Sequence, residues 1–225
     1  MITSMSNPQM KKVQQLLKKA RTRREEGLFV AEGIKMFGEA PKDRLQKVYA
    51  AASFAEKEEF QKILKEKGLE NPGDKVEIVD DKVFKSLSDT VTPQGVLCLI
   101  SMKDWSLEKI LEGVKNPLLM ILEDLQDPGN VGTIFRTGEG AGITGVLLTK
   151  TCVDVTNPKV IRSTMGSIYR MPFLYIEDVV SWKEKLKEKS VRTFAAHLKG
   201  ENSYDRESYL GGTAFFIGNE GKGLT

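Results

Sequence analysis

Asn130, Gly132 and Arg136 are the first residues whose types and spacing suggest chemistry. On a helix, an arginine four residues after a glycine lies on the same face. The glycine lets another group approach closely, and the arginine stands one turn above that gap. A surface helix with a solvated arginine fits the same spacing. The second group is Gly218-Asn219-Glu220-Gly221-Lys222-Gly223, which directly follows an apolar segment at 213–217. A glycine loop there exposes backbone N–H and C=O groups to a flat ligand, which suits a nucleoside. Glu220 has two uses in such a loop: it accepts backbone hydrogen bonds, or it meets Arg136 as a charge-assisted pair. As an exposed turn residue it has neither. Arg162-Ser163-Thr164-Met165-Gly166-Ser167 adds a small-residue patch with a further arginine, or else a helix packed on a sheet.

These groups need elements to hold them. Residues 117–122 have the length and content of a buried strand. Asp127-Pro128-Gly129-Asn130 breaks it, a helix is expected over 131–141 with Asn130 as its cap, and Gly142 stops that helix. The next strand is expected at 145–148. The result is strand–loop–helix–strand, with a polar loop at the carboxyl end of a buried strand, where open parallel sheets bind ligands. If strands 117–122 and 213–217 share one parallel sheet, their loops leave the same edge. Between them a helix is expected at 159–169, strands at 173–176 and 191–195, and a helix at 179–189.

The first half alternates as well. Helices are expected at 10–26, 33–39, 53–67 (capped by Ser53, stopped by Gly68) and 82–88. Strands are expected at 28–31, 45–52, 75–79 and 95–100, with a turn at Asn71 to Asp74. The expected fold is therefore α/β: a small α/β domain over 1–100, a polar linker over 101–116 and a parallel-sheet domain over 117–225.

Composition narrows the function. The chain has 225 residues, 40% hydrophobic and 29% charged, as in an ordinary globular protein. No apolar run approaches the roughly 20 residues of a membrane span, and the start lacks the apolar region of a signal peptide. A single histidine, His197, argues against histidine-based catalysis. Cys98 and Cys152 lack metal-ligand spacing and sit in apolar contexts, so buried reduced thiols and a cytoplasmic location are expected, with no metal site. Gly140, Gly142 and Gly145 match the letters of a dinucleotide fingerprint but fall where a helix ends and a strand begins, the reverse of what the pyrophosphate needs. A nucleotide-dependent oxidoreductase rests on that pattern alone and would need a bound nicotinamide. The glycine run at 218–223 lacks the spacing of a P-loop. The formal net charge, +3, decides nothing, but its distribution does. Lys11, Lys12, Lys18, Lys19, Arg21, Arg23 and Arg24 stand before residue 25 without an acid among them. Such a block reads as a nucleic-acid-facing helix, or as a solvated helix with Val13, Leu16, Leu17 and Ala20 inward.

Taken in order, these segments resemble a known family. NVGTIFRTGEGAG from Asn130 resembles the first motif of the SpoU (TrmH-type) RNA ribose methyltransferases, and FFIGNEGKGLT from Phe215 resembles the second. IRSTMGSIYRMPF is similar to the segment that lies between them, and the chain from Ser6 to Gly33 is similar to the substrate-binding domain of ribosomal-RNA members. The resemblance implies a SPOUT-type domain with a C-terminal trefoil knot, a homodimer formed near the knots, S-adenosylmethionine as cofactor and a ribose 2′-hydroxyl of RNA as acceptor. Ribosomal RNA is the expected partner, with no membrane involved. By motif position, Arg136 activates the hydroxyl, Asn130 orients the site and Glu220 is the second-motif acid. Ala196, His197, Leu198, Gly218, Asn219, Glu220 and Gly221 fall where the cofactor is wrapped. RNA contact is expected from the seven basic N-terminal residues and Arg162. The family's third motif, in a last helix, is not reached by Thr225, so a truncated methyltransferase domain is expected. A non-catalytic RNA-binding protein on the same scaffold and a transfer-RNA methyltransferase are the alternatives.

Overall fold

A computed structural model describes residues 1–71, 75–88, 90–197, 199–200 and 202–225. The expected turn at Asn71 to Asp74 lies mostly outside these residues. The chain forms two compact units: Met1–Lys103 with Thr156–Tyr169, and Asp104–Val155 with Arg170–Thr225.

The first unit opens with α1 (Pro8–Lys18) and α2 (Ala20–Glu26), followed by β1 (Leu28–Glu32) and α3 (Ile34–Glu39). Then come β2 (Leu45–Ala51), α4 (Ala52–Ala55), α5 (Glu58–Lys67), β3 (Val76–Val79), α6 (Asp81–Leu87) and β4 (Val96–Ser101). The sheet order is β1-β4-β2-β3, with β4 antiparallel to β1 and β2, and β2 parallel to β3. Phe37, Phe54 and Phe60 meet in the core, with the Phe60 ring tilted against Phe37 and edge-on to Phe54. Cys98 is buried on β4, and that burial pushes its thiol well above the ordinary range, so it stays protonated.

Two helices that the sequence draws as continuous are broken. The first splits at Lys19, whose backbone is extended (φ −120°, ψ 111°). The carbonyls at the end of α1 need donors once the helix stops, and Arg23 supplies one. Its Nη1 donates to Leu16 O at 2.8 Å and its Nε to Thr156 Oγ1 at 3.1 Å. The second splits at Lys57, also extended (φ −76°, ψ 138°). Ser53 caps nothing there: its N and Oγ both donate to Asp81 Oδ1, at 3.1 and 2.9 Å.

The second unit begins with α7 (Leu107–Leu111), inside the stretch read as a linker, and Leu107 and Ile110 are buried in its core. There follow β5 (Leu118–Leu122), α8 (Pro128–Gly140), β6 (Gly145–Thr149), α9 (Pro158–Ser163), β7 (Phe173–Ile176), α10 (Val179–Glu188), β8 (Val191–Ala195) and β9 (Gly212–Ile217). All five strands are parallel, in the order β7-β6-β5-β9-β8. The inner strands of such a sheet are covered on both faces, hence the apolar runs of β5 and β6. β5 is central and pairs directly with β9, Leu122 opposite Ile217. The loops after these two strands therefore leave the same edge side by side.

α9 belongs to the first unit. The helix expected over 159–169 stops early, because Met165 and Gly166 take positive φ (51° and 104°). A side chain at Gly166 would collide with the Glu39 carboxylate. Tyr169 then fixes the segment, its hydroxyl donating to Met36 O at 2.9 Å while its carbonyl accepts from Arg44 Nη1 at 3.3 Å. Among the described residues, no helix is long and apolar enough to cross a membrane.

Candidate active site

The site is built at the carboxyl edge of β5 and β9. The ladder between them runs one residue past the strands, since Glu123 N donates to Ile217 O at 2.9 Å. Asp124 then turns into the left-handed region (φ 55°), which aspartate tolerates better than most residues. Two bonds hold it there: its N donates to Thr149 Oγ1 at 3.1 Å, and its carbonyl accepts from Asn219 Nδ2 at 2.7 Å. α8 starts at Pro128, and its cap is Asp127, whose Oδ1 accepts from Asn130 N at 2.8 Å. The expected capping role of Asn130 is therefore wrong. Proline fits the first helical position, where no N–H is needed, so the helix starts three residues earlier and the Asn130 side chain is released for other work.

That side chain reaches the second loop. Asn130 Nδ2 donates to Glu220 Oε1 at 2.9 Å. Neither use foreseen for Glu220, the backbone or Arg136, is realised; an amide from the facing loop holds it. The glycine loop is closed by Asn219 instead. Asn219 and Gly223 exchange backbone hydrogen bonds at 3.1 and 2.9 Å, and Asn219 Oδ1 accepts from Gly221 N and Lys222 N at 2.9 and 3.0 Å. A Cβ on Gly218 would overlap the Gly223 backbone, so the loop can close this tightly only with glycine there. Farther along α8, Gly132 is buried and Arg136 exposed. Among the described residues Arg136 has no hydrogen-bond or ion-pair partner, so its fork is available to a ligand.

Beside this edge lies a cavity of about 410 Å³, between α10 and β8. Thr193, Ala195, His197, Phe216, Leu224 and Thr225 contribute to its walls. Of the residues expected to wrap the cofactor, His197 lines it, and its Nδ1 also accepts from Lys199 N at 3.0 Å. Ala196 is exposed just past β8, Leu198 lies outside the described residues, and Gly218, Asn219, Glu220 and Gly221 form the adjoining turn rather than the wall. Phe216 and Leu224 escaped the sequence reading, since apolar residues beside a motif carry no signal of their own. Glu123 also escaped it. It is buried, and its carboxylate accepts from both N and Oγ1 of Thr225.

The basic N-terminal block divides. Lys11, Lys18, Lys19 and Arg24 are exposed, and among the described residues they have no side-chain partner. Lys12 pairs with Glu26 and Arg21 with Glu25, each at 2.6 Å. Arg23 is 3% exposed and turned inward. Against the RNA contact expected of it, its guanidinium is taken up by the Leu16 and Leu17 carbonyls and Thr156. Arg162 is half-buried on α9 in the same unit.

The second unit is thus an α/β unit whose all-parallel sheet has a cavity lined from β8, β9 and α10, next to the glycine turn that follows β9. Residues 117–225 match the SpoU rRNA Methylase family and residues 7–98 the MRM3-like substrate binding domain. The chain belongs to the SpoU family of the SPOUT superfamily. Over 94 residues it is 46% identical to rRNA methyltransferase 3, mitochondrial, of Homo sapiens, covering 40% of this chain and 22% of that protein. Over 147 residues it is 29% identical to 23S rRNA (guanosine(2553)-2'-O)-methyltransferase RlmP of Bacillus subtilis (strain 168), covering 65% of this chain and 56% of that one. The chain thus matches only 22% and 56% of the lengths of these two relatives. An AdoMet-bound rRNA methyltransferase from Sinorhizobium meliloti has a similar structure, with a TM-score of 0.83 and 25% identity over 100% of this chain and 82% of the other.

Proposed function

We propose that the chain is a methyltransferase that uses S-adenosylmethionine to methylate a ribose 2′-hydroxyl of RNA, with ribosomal RNA as the substrate class. The observation that carries this reading is the Asn130–Glu220 hydrogen bond, which ties the first turn of α8 to the loop after β9; the same helix bears the exposed Arg136, without a partner among the described residues. Support also comes from the family, from the ribosomal-RNA relatives and from the AdoMet-bound structural neighbour.

The cavity fits the cofactor. Small-molecule sites occupy about 300–1,000 Å³ and are mostly apolar with a few polar groups, and this one is 410 Å³ with Phe216 and Leu224 beside Thr193 and His197. When bound, S-adenosylmethionine supplies a methyl group made electrophilic by its sulfonium. The chain's own residues position the acceptor. Arg136 grips a phosphate next to the target ribose with its planar fork. The positive charge lowers the pKa of the 2′-hydroxyl, and that phosphate or a water takes the proton, since a guanidinium stays protonated and cannot. Asn130 and Glu220 keep the two loops in register, and such fixed placement supplies a large part of the rate in a displacement reaction. Residues 1–100 hold the RNA through Lys11, Lys18, Lys19 and Arg24, and 117–225 carry the chemistry. The reading includes a trefoil knot, a homodimer and the cytoplasm, the last supported by two buried free cysteines.

Calorimetry with S-adenosylmethionine tests this reading, together with mapping of ribose methylation in RNA incubated with both. One cofactor per chain and a new 2′-O-methyl group are expected. A chain that binds RNA but no S-adenosylmethionine would be a non-catalytic RNA-binding module.

A further inference from the structure

Glu123 stands directly after the central strand and is 8% exposed. Its carboxylate accepts from Thr225 N at 2.9 Å and from the Thr225 hydroxyl, and among the described residues no lysine or arginine pairs with it. A carboxylate without a cation stays buried only where donors replace its water. Here both donors belong to one residue, 102 positions later in the chain. Thr225 and its neighbour Leu224 line the 410 Å³ cavity, and Leu224 also packs on the core of the second unit. The glycine turn before them is closed by Asn219, so it fixes its own shape but not the direction of the chain that leaves it. Beyond the turn, Leu224 is held by its packing on the core and Thr225 by Glu123.

We propose that Glu123 is a positioning residue for the cavity: by holding Thr225 it keeps the chain after the glycine turn in place as a wall of the cofactor pocket. The inference rests on the cavity being the S-adenosylmethionine site. It is distinct from the role of Arg136, because Glu123 meets neither acceptor nor cofactor and acts through Thr225.

The test uses the full chain with Glu123→Gln, which keeps the size but sets an amide N–H2 against one of the two donors, and with Thr225→Val, which removes the hydroxyl. Binding of S-adenosylmethionine is measured first, then kcat and the separate KM values for S-adenosylmethionine and RNA. Glu123→Gln is expected to raise the cofactor KM about tenfold, the size of losing a hydrogen bond to a charged group. Because the wall contributes equally in ground and transition states, kcat and the RNA KM should stay within about twofold. Thr225→Val on top of Glu123→Gln should add almost nothing, as expected for two partners of one interaction. A cofactor KM unchanged in Glu123→Gln overturns the inference, as does an equal loss in kcat and both KM values. If the unaltered chain binds no S-adenosylmethionine, the function reading fails first and takes this inference with it.

Discussion

At the break between α1 and α2 the first unit buries an arginine, while on α8 the second unit exposes one. Arg23 is 3% exposed, with donors directed at two carbonyls and a hydroxyl. Arg136 is open to solvent, with no partner among the described residues. The same side chain does two jobs. A guanidinium offers five N–H donors; where the fold supplies acceptors it is a structural bracket, and where the fold withholds them its donors stay open to solvent. Local charge density points the other way, since Arg23 sits in the densest basic run of the chain and Arg136 is isolated.

Substitutions separate the two roles. Arg136→Lys keeps the charge but loses the fork, and methyl transfer to RNA should fall about a hundredfold or more, in the range of a lost group that assists proton removal. Its urea midpoint should stay put because the residue is exposed. Near-normal turnover would make Arg136 an ordinary surface charge. Arg23→Ala should do the reverse, destabilising the chain by about 2–4 kcal/mol as buried carbonyls lose their donor. Urea unfolding reads that loss as a lower midpoint at constant slope, and a change within about 0.5 kcal/mol would show that the bracket is dispensable. The smallest effect belongs to the exposed lysines beside it. Replacing Lys18 and Lys19 with glutamine should weaken RNA binding modestly and lower the slope of log K against log salt by about one to two. A slope that does not move would take these lysines off the RNA surface.

Much of the second unit was legible because buried parallel strands announce themselves as short apolar runs. Residues 173–176 and 191–195 are strands with the expected bounds, and β5, β6 and β9 differ from expectation by one residue at an end. The helices were harder. Spacing and apolar content continue smoothly across Lys19 and Lys57, and the breaks go with partners that periodicity does not show: Thr156, 133 residues away, for Arg23, and Asp81, 28 residues away, for Ser53. Asn130 is a good cap in isolation, but Asp127 with Pro128 is a better helix start, and only the resulting shift frees the amide that meets Glu220.

By itself the sequence marked Asn130, Arg136 and Glu220 as candidates, because they lie in motifs whose spacing is written along the chain. It also determined the alternation of strands and helices, since periodicity is a local property. Only the tertiary structure decided who meets whom. The bond from Asn130 to Glu220 spans 90 residues and that from Glu123 to Thr225 spans 102. Both exist because β5 and β9, far apart in sequence, are neighbours in one parallel sheet. Burial, not residue type, likewise made Arg23 a bracket and left Arg136 exposed.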